Sequence, residues 1–81
     1  MHELAIAESI VDLVEEHAKK DAFQRVHRIH VLVGELSHVD PRALEFGFEI
    51  IAKGTVAEGA TLAFDRRSGS AELRVVDLEV F

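Results

Sequence analysis

Along the first twenty residues, apolar side chains recur with the spacing of one helical face. Leu4, Ala7, Val11, Val14 and Ala18 repeat at three- and four-residue steps, with Ile10 beside them. Glu3 and Glu8 stand early and Lys19 and Lys20 late, each sign where a helix dipole favours it. The pattern predicts a helix from about Glu3 to Lys20. From Arg25 to Val33 the period becomes two: Ile29, Val31 and Val33 share one face, while Val26, Arg28, His30 and Leu32 share a half-polar one. That is a strand covered on one side, and Gly34 lets the chain turn away.

Asp40-Pro41 starts a second helix, with Asp40 as cap and Pro41 at the first helical position. Leu44, Phe48 and Ile51 form its apolar face, Phe46 and Ile50 widen the stripe, and Gly47 would allow close approach to a neighbour. Lys53-Gly54 closes it with a cation and a terminal glycine. Thr61–Asp65 and Glu72–Val80 read as strands. In the latter, Val76, Leu78 and Val80 share one face, and Leu73 and Val75 the other. The order is helix, strand, helix, strand, strand. It predicts an α/β chain of the two-layer α+β kind, with two helices on one face of a three-stranded mixed sheet.

Composition narrows the functions. Eighty-one residues, 48% of them hydrophobic, suffice for a single domain over 1–81. No apolar run approaches the ~18–20 residues that a membrane span requires, and no secretory signal pattern is present, so the expected compartment is the cytoplasm. The net charge is −6, the nine Lys and Arg form no basic run, and Tyr and Trp are absent, so nucleic acid is not an expected partner. Without cysteine there is no disulfide and no thiolate metal site.

The first three residues carry the candidate chemistry. Met1-His2-Glu3 places an α-amine, two backbone amides and an imidazole within one short segment. Nickel(II) and copper(II) favour square-planar nitrogen coordination. The amine, deprotonated amide nitrogens and His2 Nδ1 could fill that plane, with the Glu3 carboxylate near enough for an outer contact. Taken alone, a His at position 2 is usually just an ordinary residue. His27 and His30, three apart on a strand, should face opposite sides and cannot easily share an ion. With His17 they read as surface residues, and His38 stays open. Glu8, Glu15 and Glu16 fall on the solvent side of the first helix. No nucleophile constellation or phosphate-cradling loop is present, so an enzyme is not expected. Ser68-Gly69-Ser70 fits an ordinary hairpin loop and a flexible linker equally well.

Several segments in order resemble one family. They are Met1-His2-Glu3-Leu4; Arg25-Val26-His27-Arg28-Ile29 leading into Val33-Gly34-Glu35-Leu36-Ser37; Val39-Asp40-Pro41 with Ala43-Leu44 and Phe46-Gly47-Phe48; Lys53-Gly54-Thr55 with Glu58-Gly59-Ala60; and Glu72 to Val80. Their spacing is similar to that of the HypA/HybF family, the nickel-incorporation proteins of NiFe-hydrogenase maturation. The resemblance covers nearly all of the chain outside positions 66–71. Members carry a zinc domain with two CxxC pairs between the last two strands. Here that place holds only Arg66 to Ala71, so the chain looks like a nickel-binding domain bridged by a short linker at 66–71, and zinc is not expected.

The resemblance implies a metallochaperone that binds Ni(II) through Met1, His2 and Glu3. In some members an acidic side chain or a zinc-domain His completes the site; Asp40 is the position nominated for the former, although a plain helix cap is its commoner role. Implied partners are the maturation GTPase HypB, the hydrogenase large subunit and, in some organisms, urease accessory proteins. A pure interaction module that docks the GTPase, with incidental metal binding, is the alternative. Copper(II) should bind more tightly than nickel, and binding should weaken in mild acid because the imidazole must be neutral to ligate. A short bridge between adjacent strands would strain a hairpin, so a monomer and a strand-swapped homodimer are both expected forms.

Overall fold

A computed structural model describes residues 2–80. Its elements are α1 (Glu3–Asp21), β1 (Val26–Gly34), α2 (Pro41–Ile51), β2 (Thr61–Arg67) and β3 (Leu73–Val80), with a 3-10 turn at Glu35–Ser37. β1 is the central strand, with β2 parallel on one side and β3 antiparallel on the other. Both helices cover the face that carries Ile29, Val31 and Val33. The core joins these to Ala7, Ile10, Val11 and Val14 of α1 and to Leu44, Phe48 and Ala52 of the α2 segment. This is the mixed-sheet, two-layer arrangement that the hydrophobic periodicity predicts.

The helices meet at Gly47. A Cβ there would lie 3.2 Å from Leu4 Cδ1 and 3.6 Å from Leu4 Cα, so the glycine permits close approach of α1 and α2. Leu4 sits on the rim of this contact and stays half exposed instead of entering the core. Phe46 and Ile50 do not widen the buried stripe; they are 69% and 49% exposed. One residue turns a helix by about 100°, which carries Phe46 past the seam that Gly47 occupies. α2 also ends earlier than Lys53-Gly54 suggests. Ala52 caps it in helical conformation, its N–H donating to Phe48 O, and left-handed Gly54 belongs to the turns beyond. α1 closes on Ala22, which takes a left-handed φ of 58° without being glycine.

Two irregularities in the β1–β3 ladder overturn the simple alternation. The register shifts between Val26 and Arg28 and again between His30 and Val31. In the first, β1 holds an extra residue, and Val26 returns to the core side with Ile29. In the second, β3 holds the extra residue. Leu73, Val75 and Leu78 therefore all pack on the core, and Val76 is 43% exposed. An added residue in one strand flips the facing of every side chain beyond it, and no two-residue period can register that.

The β2–β3 connection is not a hairpin, because β1 lies between the two strands. β2 runs on through Arg67, and residues 68–72 then cross the end of β1. Gly34 N–H donates to Glu72 O and Leu36 N–H to Ser70 O, both at 2.7 Å, while Gly69 N–H donates to Glu35 Oε1 at 3.0 Å. Gly34 has an ordinary extended conformation, with φ −73°. Glycine is needed for space: a Cβ would stand 2.6 Å from Ser70 C and 2.8 Å from Glu72 N. We expect Gly34→Ala to lower the unfolding free energy by about 1–3 kcal/mol, as overpacking of a tight site does. Urea unfolding checks this; unchanged stability would mean that the crossing loop has room to move.

Candidate metal centre

Of the four ligands predicted from sequence, Met1 lies outside the described residues. His2 is the N-cap of α1, with φ −88° and ψ 74°, and its exposed side chain makes no capping bond. Its carbonyl accepts from Ile6 N–H at 3.1 Å, the first bond of the helical ladder. The amide nitrogens of His2 and Glu3 therefore precede the ladder, and no helical carbonyl partner exists for them. Their use as metal donors would break no helical hydrogen bond.

Glu3 and Asp40 meet where the two helices begin. Glu3 Oε2 accepts the backbone N–H of Asp40 at 3.0 Å, which pins the first turn of α1 to the start of α2. Asp40 Oδ1 in turn accepts from Arg42 N–H at 3.0 Å, the helix-cap role that its sequence context predicts. The Asp40 N–H donor holds the Glu3 carboxyl below the usual glutamate range, against partial desolvation and the neighbouring Asp40 charge. His2, Glu3 and Asp40 are thus brought to one corner of the molecule. No cluster of three or more His, Asp or Glu side chains suited to a metal ion is present among the described residues. A metal centre at this corner would have to draw on main-chain nitrogens.

The other histidines stand apart from it. His17, His27 and His38 are exposed, and His38 takes a left-handed φ of 60° ahead of the Asp40 cap. His30 Nε2 donates to Glu79 Oε2, with Arg28 Nη1 3.7 Å from the same carboxylate. Two residues carry structural roles that sequence reasoning missed. Glu15, read as solvent-facing, accepts Val56 N–H at 2.9 Å and ties α1 to the turns before β2. Ser37 is only 8% exposed; its hydroxyl donates to Gly34 O at 2.7 Å and lies 3.4 Å from Val39 N. A serine in a short segment between a glycine and an Asp-Pro cap was the one available signal, since such hydroxyls commonly bond nearby main chain.

The Glu3 clasp has a pH signature. A carboxyl with a lowered folded pKa adds stability above the ordinary glutamate range and loses it as pH falls through the lowered value. In the metal-free chain, NMR titration of the Glu3 carboxyl should give a midpoint below that of an unperturbed glutamate. Glu3→Gln should remove that part of the acid sensitivity. A midpoint at or above the ordinary value would contradict the clasp.

The family model described as hydrogenase/urease nickel incorporation, metallochaperone, hypA, matches residues 1–76. The hydrogenase maturation factor HypA of Bradyrhizobium sp. (strain ORS 278) is 46% identical over 71 residues, which cover 88% of this chain and 63% of the relative. That of Syntrophus aciditrophicus (strain SB) is 45% identical over 65 residues, covering 80% of this chain and 57% of the relative. The chain thus spans less than two thirds of the length of the curated relatives it matches. Two solution structures share the fold. One, of HypA protein, superposes with a TM-score of 0.84 at 23% identity over all of this chain and 97% of its own. The other, the Ni metallochaperone HypA from Helicobacter pylori, gives 0.84 at 21% identity over 99% of this chain and 97% of its own. By the family match over nearly its whole length and its identity to these relatives, the chain belongs to the HypA family of nickel-incorporation metallochaperones.

Proposed function

We propose that this chain is a single nickel-cargo domain over 1–81. In this reading it holds Ni(II) in a plane formed by the Met1 amine, the His2 amide, the Glu3 amide and His2 Nδ1. The observation that carries the reading is the start of α1. The first helical hydrogen bond is Ile6 N–H to His2 O, so the amides of His2 and Glu3 are spared from the ladder. Chelation by consecutive nitrogens requires the N–Cα–C–N torsion of His2 to close from 74° towards the eclipsed arrangement. Rotation about the His2 Cα–C bond swings the imidazole and the terminal residue while the His2 carbonyl stays on Ile6. The helix therefore need not unwind to take up cargo.

Charge favours main-chain donors here. A dication at a helix N-terminus faces the positive end of the macrodipole. Two deprotonated amides neutralise the ion itself, and the carboxylates of Glu3 and Asp40 offset the dipole. Asp40 contributes in this way, or as an outer contact, while it remains the cap of α2. Because the amine, amides and imidazole must all lose protons, uptake releases protons and acid favours release. Copper(II) would bind the same donors more tightly than nickel, which leaves selectivity to supply and to partner proteins.

The cargo is destined in this reading for NiFe hydrogenase, through the maturation GTPase HypB and the hydrogenase large subunit. Urease accessory proteins are a further destination that the family description supports. The linker at 66–71 stands where the resemblance puts a zinc domain, and the absence of cysteine fits its loss. A cytoplasmic setting accords with this role; no described helix is long and apolar enough to cross a membrane. The crossing of residues 68–72 over β1 is compatible with a monomer, and exchange of β3 between two copies remains the proposed route to a dimer. A second reading, docking of the GTPase with incidental metal binding, draws support from the exposure of Phe46, Ile50 and Leu4 along the helix seam.

Titration of Ni(II) into chain beginning at Met1, followed by visible absorption and heat, separates the readings. We expect one equivalent with a planar-nickel spectrum, lost in His2→Ala and in a chain extended before Met1, with folding unchanged. Equal binding in His2→Ala would remove the site, and equal binding in the extended chain would remove Met1. Phe46→Glu should leave nickel binding intact; loss of GTPase association in that variant would mark the docking face.

A further inference from the structure

A chain of hydrogen bonds links the crossing loop to the corner where the helices begin. At one end Gly34 and Leu36 donate to Glu72 O and Ser70 O, and Glu35 accepts from Gly69. At the other end Asp40 N–H donates to Glu3 Oε2. Between them lies the segment 34–40, a 3-10 turn followed by left-handed His38. The side chain that closes this segment on itself is Ser37. Its hydroxyl donates to Gly34 O at 2.7 Å and accepts Val39 N–H at 3.4 Å, so it reaches both the residue under the crossing loop and the residue before Asp40. Ser37 is also the one buried polar residue among those described.

Serine hydroxyls commonly bond nearby main chain; here that hydroxyl is buried and fixes both ends of the turn. A 3-10 turn this short, next to a non-glycine residue at positive φ, has little intrinsic stability. Without the hydroxyl, Gly34 O would lose its side-chain donor and the turn could relax. Asp40 N–H would then be free to move off the Glu3 carboxylate, and the first turn of α1 would keep its Leu4–Gly47 packing but lose its hydrogen bond to the start of α2. The donors of the proposed nickel plane lie in and just before that turn.

We propose that Ser37 is a positioning residue for the nickel site. It makes residues 34–40 a rigid bracket that holds Asp40 N–H against Glu3 and ties the cargo corner to the loop crossing β1. The inference rests on the N-terminal nickel site proposed above. It adds a residue that contacts neither metal nor ligand, and it gives the 68–72 connection a mechanical route to the site. Groups bonded directly to metal ligands commonly change affinity by roughly 10–100-fold; Ser37 acts one step further out, through Asp40 N–H on Glu3, so a loss of roughly tenfold at most is expected.

The test uses the whole chain beginning at Met1, with Ser37→Ala and Ser37→Thr, at a temperature well below unfolding. In metal-free protein, amide exchange of Asp40 is followed by NMR. In parallel, Ni(II) alone is titrated and the planar-nickel absorption recorded. Ser37→Ala should lose protection at Asp40 and bind nickel more weakly, by roughly tenfold at most, while Ser37→Thr, which keeps the hydroxyl, should hold most of both. A purely stabilising serine would lower the melting temperature and leave both readouts untouched in the folded protein, which would overturn the proposal. Equal losses in the alanine and threonine variants would assign the effect to packing and overturn it too. Absence of planar nickel in the unmodified chain would refute the cargo site itself, whereas nickel binding untouched by Ser37→Ala would refute only the bracket.

Discussion

The fold turns on the space above Gly34. β2 runs parallel to β1 and β3 antiparallel to it, on opposite edges, so the chain must cross the end of the central strand to pass from one to the other. It does so in a few residues, and only because Gly34 presents no side chain to Ser70 and Glu72. The crossing main chain then takes over the hydrogen bonds that the end of β1 would otherwise leave open. Everything after Gly34 inherits that geometry. The 3-10 turn follows directly, then the Asp40 cap, then α2, whose Gly47 admits α1 and whose first amide, at the cap, receives the Glu3 carboxylate.

The proposed cargo site would use what a helix cannot use for itself. Four amides at the start of any helix lack a partner in the ladder. Here two of them belong to His2 and Glu3, beside an imidazole that caps nothing. Side chains at the corner are already engaged, Glu3 with the Asp40 amide and Asp40 with Arg42. That division of labour supports a planar, main-chain nitrogen site over a carboxylate cage, and it suits an ion that must later be given up. In that proposal, protonation would return the amides to ordinary helix-terminal groups and leave the helical ladder intact.

Much of this was legible in the sequence, and the failures have definite causes. The α1 stripe, the Asp40-Pro41 start and the alternation of Ile29, Val31 and Val33 were each written by a period or a cap, and the structure reproduces them. The faces of Val26 and of the residues beyond Val76 were not, because a bulge reverses alternation and leaves no mark on composition. The β2–β3 connection reads locally as a hairpin, since turn residues look alike whether the strands they join are neighbours or lie across a third. Phe46 and Ile50 were assigned to the core on hydrophobicity alone; exposure of such residues is set by how far the partner helix reaches. At the candidate site, the Glu3–Asp40 contact and the Ser37 hydrogen bonds were not legible, because they span a distance in sequence or depend on a 3-10 turn that no period predicts.

The central claim is that nickel is held by main-chain nitrogens freed at the start of α1. X-ray absorption at the nickel K-edge, on the one-to-one complex of chain beginning at Met1, examines the ion directly. The account predicts a planar centre with four nitrogen donors and the edge feature characteristic of square-planar nickel. A six-coordinate centre dominated by oxygen would contradict it, and would move the cargo to the carboxylates of Glu3 and Asp40.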